Sequence, residues 1–325
     1  MRKHIAAALL ALAVCVPAAH SQTSSPYPNR PVTMVIPYPA GGPTDAIGRV
    51  LAVKLGTRLA QPVIVENRAG AGANIGAEYV AKATPDGYTL LFATSPALAI
   101  NTSLYKGLKY DPLTSFEPLV YVGSLPNVLI VHPSVQATNV AELVALSKSK
   151  PGGLSYASAG NGGTSHLAGV MFAQQSGAQL THIPHKGTAP ALQSLLGGHT
   201  DMSFTDVLTA LPYIQSGKVR VLGVTSAQPS HVLPASKPLN SLGLRDYDVS
   251  VFFALVAPKG LPAAVRSRLS ADLQQVLVDP EVQQQLRGQG LQISTQLTPE
   301  YLGEVMRREV IQWRKIIQES GAKPD

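Results

Sequence analysis

Short apolar runs alternating with helical patterns constrain this chain more than any other feature. Residues 32–36, 63–66, 89–93, 128–132, 154–157, 179–183, 202–204 and 219–225 are apolar or β-branched stretches of strand length, with helical patterns between them. Such alternation predicts an α/β fold with mainly parallel sheets, because parallel strands must be joined by crossovers that helices usually supply. A further strand over 248–257 precedes helices over 262–278, 280–287 and 299–320. Thr298 as N-cap, Pro299 at the first helical position and Gly321 just past the end bound the last of these.

The chain opens on Arg2 and Lys3, an apolar stretch over 5–16, and small residues Ala18, Ala19 and Ser21. This is the pattern of a secretory signal peptide over 1–21, too short to span a bilayer. Its removal takes away Cys15, the one cysteine, so a mature chain could form no disulfide and no Cys-ligated metal site. Val14 before that cysteine is larger than a lipoprotein cleavage site prefers, which favours soluble export. The remaining length suits about two domains. With 45% hydrophobic and 14% charged residues the chain is globular rather than disordered. The formal charge of +7 is spread out: no Lys/Arg run and no basic–aromatic interleaving marks a nucleic-acid or membrane surface.

Loops at strand ends are where open α/β sheets bind ligands. The first, Tyr38-Pro39-Ala40-Gly41-Gly42-Pro43-Thr44-Asp45, lies between a strand and a helix. Its glycines allow close backbone approach and the first turn of the helix offers unpaired N–H groups, so it suits a carboxylate or phosphate; an ordinary βα loop with a Thr or Asp cap fits equally. Thr94-Ser95 follow the next strand but one. Ser158-Ala159-Gly160-Asn161-Gly162-Gly163-Thr164-Ser165-His166 forms a second Gly-rich loop, and 183–190, containing His185 and Lys186, a fourth. All four are rich in donors and nearly uncharged, which argues for a cleft built from backbone N–H and hydroxyl groups.

Catalytic readings of the same residues are weaker. Tyr156-Ala157-Ser158-Ala159-Gly160 lacks the first glycine of a nucleophile elbow, leaving an exported hydrolase using Ser158 and His166 as a runner-up. Gly70-Ala71-Gly72-Ala73-Asn74-Ile75 has Ile75 where a dinucleotide fingerprint needs its third glycine. His182 and His185 flank Pro184 with no carboxylate cluster, so local hydrogen bonding outweighs metal ligation, and no cofactor is expected. His166, opening a helix, fits a cap or a ligand contact equally.

The ordered motifs Tyr27-Pro28-Asn29-Arg30-Pro31, Pro39 to Asp45, Val65-Glu66-Asn67-Arg68-Ala69-Gly70-Ala71-Gly72, Pro85-Asp86-Gly87-Tyr88-Thr89-Leu90 and Gly160-Asn161-Gly162 closely resemble the Bug family. Lys186-Gly187 with Ala189-Pro190-Ala191-Leu192, and Ala257-Pro258 with Gly260 and Pro262, extend the resemblance over essentially the whole mature chain. These are extracytoplasmic solute receptors of tripartite tricarboxylate transporters. The resemblance implies a two-lobed periplasmic binding protein of the type II, Venus-flytrap kind, monomeric, with two interlobe crossovers. Lobe 1 would hold residues 22–124 plus 247–325 and lobe 2 residues 125–246. It implies a non-enzymatic receptor that delivers a small carboxylate to integral membrane subunits; a sensor subunit docking a signalling protein is the alternative. The 38–45 loop and Thr94-Ser95 would grip one carboxylate. Ser158, Asn161, Gly162, Thr164 and His166, with His185, Thr205 and Asp206, would read the other end. The chain departs from the family pattern at Gly163, His185 and Thr205-Asp206, where relatives often have threonine, tyrosine and an aspartate directly after the phenylalanine.

Overall fold

The computed structural model describes residues 27–320 and 322–323; the leader over 1–21, Cys15 and Gly321 lie outside the described residues. In chain order the described residues begin with β1 (Val32–Ile36), α1 (Pro43–Leu59), β2 (Val63–Asn67), α2 (Asn74–Ala81), β3 (Thr89–Thr94) and α3 (Asn101–Leu104). A long strand, β4 (Phe116–Val131), leads to α4 (Val140–Ser149), β5 (Leu154–Ser158), α5 (Thr164–Ser176) and β6 (Leu180–Pro184). Then come α6 (Thr188–Leu196), β7 (Met202–Asp206), α7 (Val207–Gln215) and β8 (Arg220–Val224). The chain returns through β9 (Ser250–Pro258), α8 (Ala263–Val278), α9 (Pro280–Gly288), β10 (Gln292–Ile293) and α10 (Pro299–Ser320).

Local chemistry explains the helices that frame the site. Pro43, its φ already helical, starts α1, and Ile47, Leu51, Leu55 and Leu59 recur every four residues to give one buried stripe. In α10 the buried residues Leu302, Val305, Met306, Val310 and Trp313 form the corresponding stripe. The Trp313 indole N–H donates to Glu309 Oε2 at 2.7 Å, so the buried ring keeps its one polar atom paired.

The sheet runs β2-β1-β3-β9-β4-β7-β5-β6, with β10 and β8 also on β4. It is mixed rather than mainly parallel. β1, β2 and β3 pair in parallel, as do β5, β6 and β7, but β9 runs antiparallel to β3 and β4, and β4 antiparallel to β7 and β8. β4 is the strand shared by the two parallel sets, pairing with β9 at one end and with β7 and β8 at the other. Residues 116–126 of β4 pair with β9, and residues 127–131 pair with β7 and β8.

The return passage follows β8. Thr225 N donates to the Asn127 carbonyl at 2.9 Å and Val249 N to the Thr225 carbonyl at 2.9 Å, while Thr225 Oγ1 lies 2.8 and 2.6 Å from the Asn127 and Val249 carbonyl oxygens. One fully buried threonine thus ties the two passages together. Apolar layers cover both faces of the sheet and continue through both lobes.

Candidate ligand-binding site

Strand register decides where the loops converge. Thr94, at the end of β3, pairs with Phe253, and β9 continues from there to Ser250 opposite Pro126. Asp206, at the end of β7, pairs with Asn127 on the other side of the same junction. The carboxyl ends of the parallel strands of both lobes therefore face the passage between them, where open α/β sheets bind ligands.

On the lobe 1 side, Asp45 organises the 38–45 loop. Its Oδ2 accepts from Gly41 N at 2.9 Å and from Arg49 Nε at 2.9 Å, and its Oδ1 accepts from Asn67 Nδ2 at 2.9 Å. Asn67 Nδ2 also reaches the Tyr38 carbonyl at 3.0 Å. Burial pushes the Asp45 carboxyl up, but the bonds from Arg49, Gly41 and Asn67 outweigh it and pull the pKa to about 2. Asp45 is thus turned into its own loop as a brace, its charge offset by Arg49. The N–H groups of Thr44 and Asp45 remain for an anion, since the first turn has no intrahelical acceptors. Pro39, Ala40 and Gly41 form an exposed lip and Gly42 the N-cap.

Tyr38 and Thr94 share a hydroxyl–hydroxyl bond of 2.6 Å, and burial pushes the Tyr38 phenol up to about 12, so it stays protonated. Ser95, fully buried, accepts from Phe252 N at 2.9 Å and keeps its own proton to donate.

The lobe 2 loops lie on one another. His185 N donates to the Ser158 carbonyl at 3.0 Å and Gly187 N to the Ala159 carbonyl at 3.0 Å. Ser165 Oγ accepts from Ala159 N at 3.0 Å, and Gly162 N donates to His166 Nδ1 at 2.9 Å. The His166 and His182 rings stack at 3.9 Å and 6°, with Tyr156 flanking His182 at 4.8 Å. His182 Nε2 lies 2.6 Å from Ser158 Oγ, so this histidine bonds locally, and Ser158 pairs with His182 rather than with the His166 of the hydrolase reading. Burial, then the neighbouring His166 and His185, hold His182 down at about 4, which makes it a weak base at neutral pH.

Thr164 opens α5 behind the N-cap Gly163, with Asn161 in the turn before it. Asp206 caps α7, accepting from Thr209 N at 2.8 Å and Thr209 Oγ1 at 3.0 Å. Across the passage, a Cβ at Gly162, whose φ is +71°, would overlap the Leu104 methyl groups. The two halves are therefore already in contact there.

Asn127 is a residue that sequence reading did not single out. It is 2% exposed and its Nδ2 has no protein partner, as is true of Thr205 Oγ1 and His185 Nε2. An asparagine between Pro126 and an apolar run reads as a turn, so only the register reveals its place. Among the described residues no group of His, Cys, Asp and Glu could hold a metal, and no helix is long and apolar enough to cross a membrane. The surface hollow lined by Pro133, Ile214, Arg220 and Val232 is separate from these loops.

Residues 47–322 match the model of the tripartite tricarboxylate transporter family receptor. Protein BugT of Bordetella pertussis is 36% identical over 298 residues, covering 91% of this chain and 91% of BugT. The solved structure of the periplasmic binding protein BugD is 37% identical with a TM-score of 0.81, covering 92% of this chain and 100% of BugD. The R. palustris protein Rpa4515, solved with adipate, is 30% identical with a TM-score of 0.84, covering 92% of this chain and 100% of that protein.

Proposed function

The chain belongs to the tripartite tricarboxylate transporter receptor family, and from that premise we propose that it captures a small carboxylate between its lobes and hands it to integral membrane subunits. The observation that carries this reading is that β3 and β7 end at one passage, so that the uncharged groups Tyr38, Thr94 and Ser95 and the loop of Ser158, Asn161, Gly162, Thr164 and His166 all belong to strand-end loops of the two parallel sets. A carboxylate held by backbone N–H and hydroxyl groups needs no cation, because each donor is aimed before the ligand arrives. Adipate in the R. palustris relative supports the ligand class.

In this reading lobe 1 comprises 22–124 plus 247–325 and lobe 2 comprises 125–246, the signal over 1–21 directs export to the periplasm, and the monomer works without catalysis. The ligand favours the closed form only through contacts made by both lobes, so each half of the site must contribute. A thermal-shift screen of the mature protein, stripped of bound solute by unfolding and refolding, tests the reading. A true ligand at about a hundred times its dissociation constant adds about 2.7 kcal/mol, a shift of several degrees for a chain of this size. A shift confined to carboxylates is expected; none with any acid, or turnover of esters that vanishes in Ser158→Ala, would overturn it.

A further inference from the structure

The two halves of the site differ in charge. On the lobe 1 side the Asp45 carboxylate is matched by Arg49, and the remaining groups are donors. On the lobe 2 side the Asp206 carboxyl is buried, 8% exposed, and bonded by Thr209 and Thr188 without a cation. Of the two stacked imidazoles, His182 is held at about 4 and carries no charge at neutral pH. His166 Nδ1 accepts the Gly162 N–H, a bond that protonation at that nitrogen would break, and two charged rings at 3.9 Å would repel. Lys186, the one cation in the lobe 2 loops, is exposed.

A second carboxylate brought to this end would lose its hydration beside a buried acid that has no cation of its own, whereas the acid at the first end, Asp45, is matched by Arg49. An uncharged polar group meets the opposite situation. Asn127 Nδ2, on the same face of the sheet as Asp206, and His185 Nε2 in the neighbouring loop are buried atoms without protein partners, and a carbonyl or hydroxyl could satisfy such groups at no cost in charge. We propose that the receptor selects monocarboxylates whose far end is uncharged and hydrogen-bonding, and that lobe 2 rejects a second carboxylate. The inference rests on the carboxylate reading of the cleft given above.

Calorimetry at about pH 7 on the stripped mature protein tests it with matched probes: succinate, glutarate and adipate, the monoamide and diamide of each, and ω-amino acids of the same lengths. The expected result is that a monoamide binds about tenfold or more tighter than its diacid while the diamide fails to bind. His185→Lys should then shift the ratio toward the diacid by about tenfold. A diacid that binds as tightly as its monoamide overturns the inference and leaves the carboxylate reading standing. So does a diacid preference that disappears in Lys186→Ala, or an ω-amino acid that binds tightest. Failure of every acid in the panel overturns both readings.

Discussion

At the scale of single residues, Asp45 shows how a charged side chain can serve an anion site without touching the anion. It holds Gly41, Arg49 and Asn67 together, and so fixes where the first-turn N–H groups point. Its carboxyl is held near 2 in the folded chain, below its unfolded value, so its contribution to stability is present above about pH 4 and is lost as pH falls toward 2. Asp45→Asn should therefore melt several degrees below wild type at neutral pH, with the gap closing by about pH 2. It should also weaken ligand binding. Thermal denaturation at a series of pH values checks the first expectation, and an unvarying gap would assign Asp45 another role. The sequence reading singled out neither partner: Arg49 stands four residues on from Asp45 along α1, and Asn67 comes from another strand. It enters because Ile36 pairs with Asn67 in the β1–β2 ladder, and register is a property of the folded sheet.

At the scale of elements, most strands and helices could be read from periodicity because each carries its own apolar pattern. β4 could not. Its second half was visible over 128–132, but its first half contains Pro118, Gly123 and Pro126, residues that punctuate chains as turns. They are tolerated because the strand shifts register against β9 at Pro118/Val120 and Tyr121/Gly123. Its partner lies more than a hundred residues away, so no local window contains the signal. The Gly-rich loop before α5 poses the opposite case, in which the sequence marks the position but not what it touches. Gly162 has a φ of +71° and sits against Leu104 of the other lobe. Gly162→Ala should strain the turn by about 1 kcal/mol and wedge the lobes apart. The expected outcome in calorimetry is a loss of affinity of about tenfold or more with the fold retained, partly restored by adding Leu104→Ala. Full affinity in Gly162→Ala would mean that this contact plays no part in closure.

For the whole molecule, two half-buried groups on different elements, His182 on β6 and Glu309 on α10, oppose one another as pH changes. His182, held at about 4 by burial and its histidine neighbours, is neutral in the folded chain while an unfolded histidine takes a proton below about 6.5. The unfolded chain binds more protons between those values, so this group's contribution to stability is lost as pH falls. Glu309, on α10, is pushed up to about 7 by burial against the pull of its bond from Trp313 and has the reverse sign. The folded chain holds its proton between about 4.5 and 7 while the unfolded chain releases it, so stability is lost as pH rises. Over about pH 4.5 to 6.5 the two slopes cancel. Relative to wild type, Glu309→Gln should make the melting temperature climb with pH across that window, and His182→Gln should make it decline. Scanning calorimetry on the three proteins measures both tilts at once, each read as a difference from wild type. Two variants that both track wild type would show that neither group's protonation is coupled to folding.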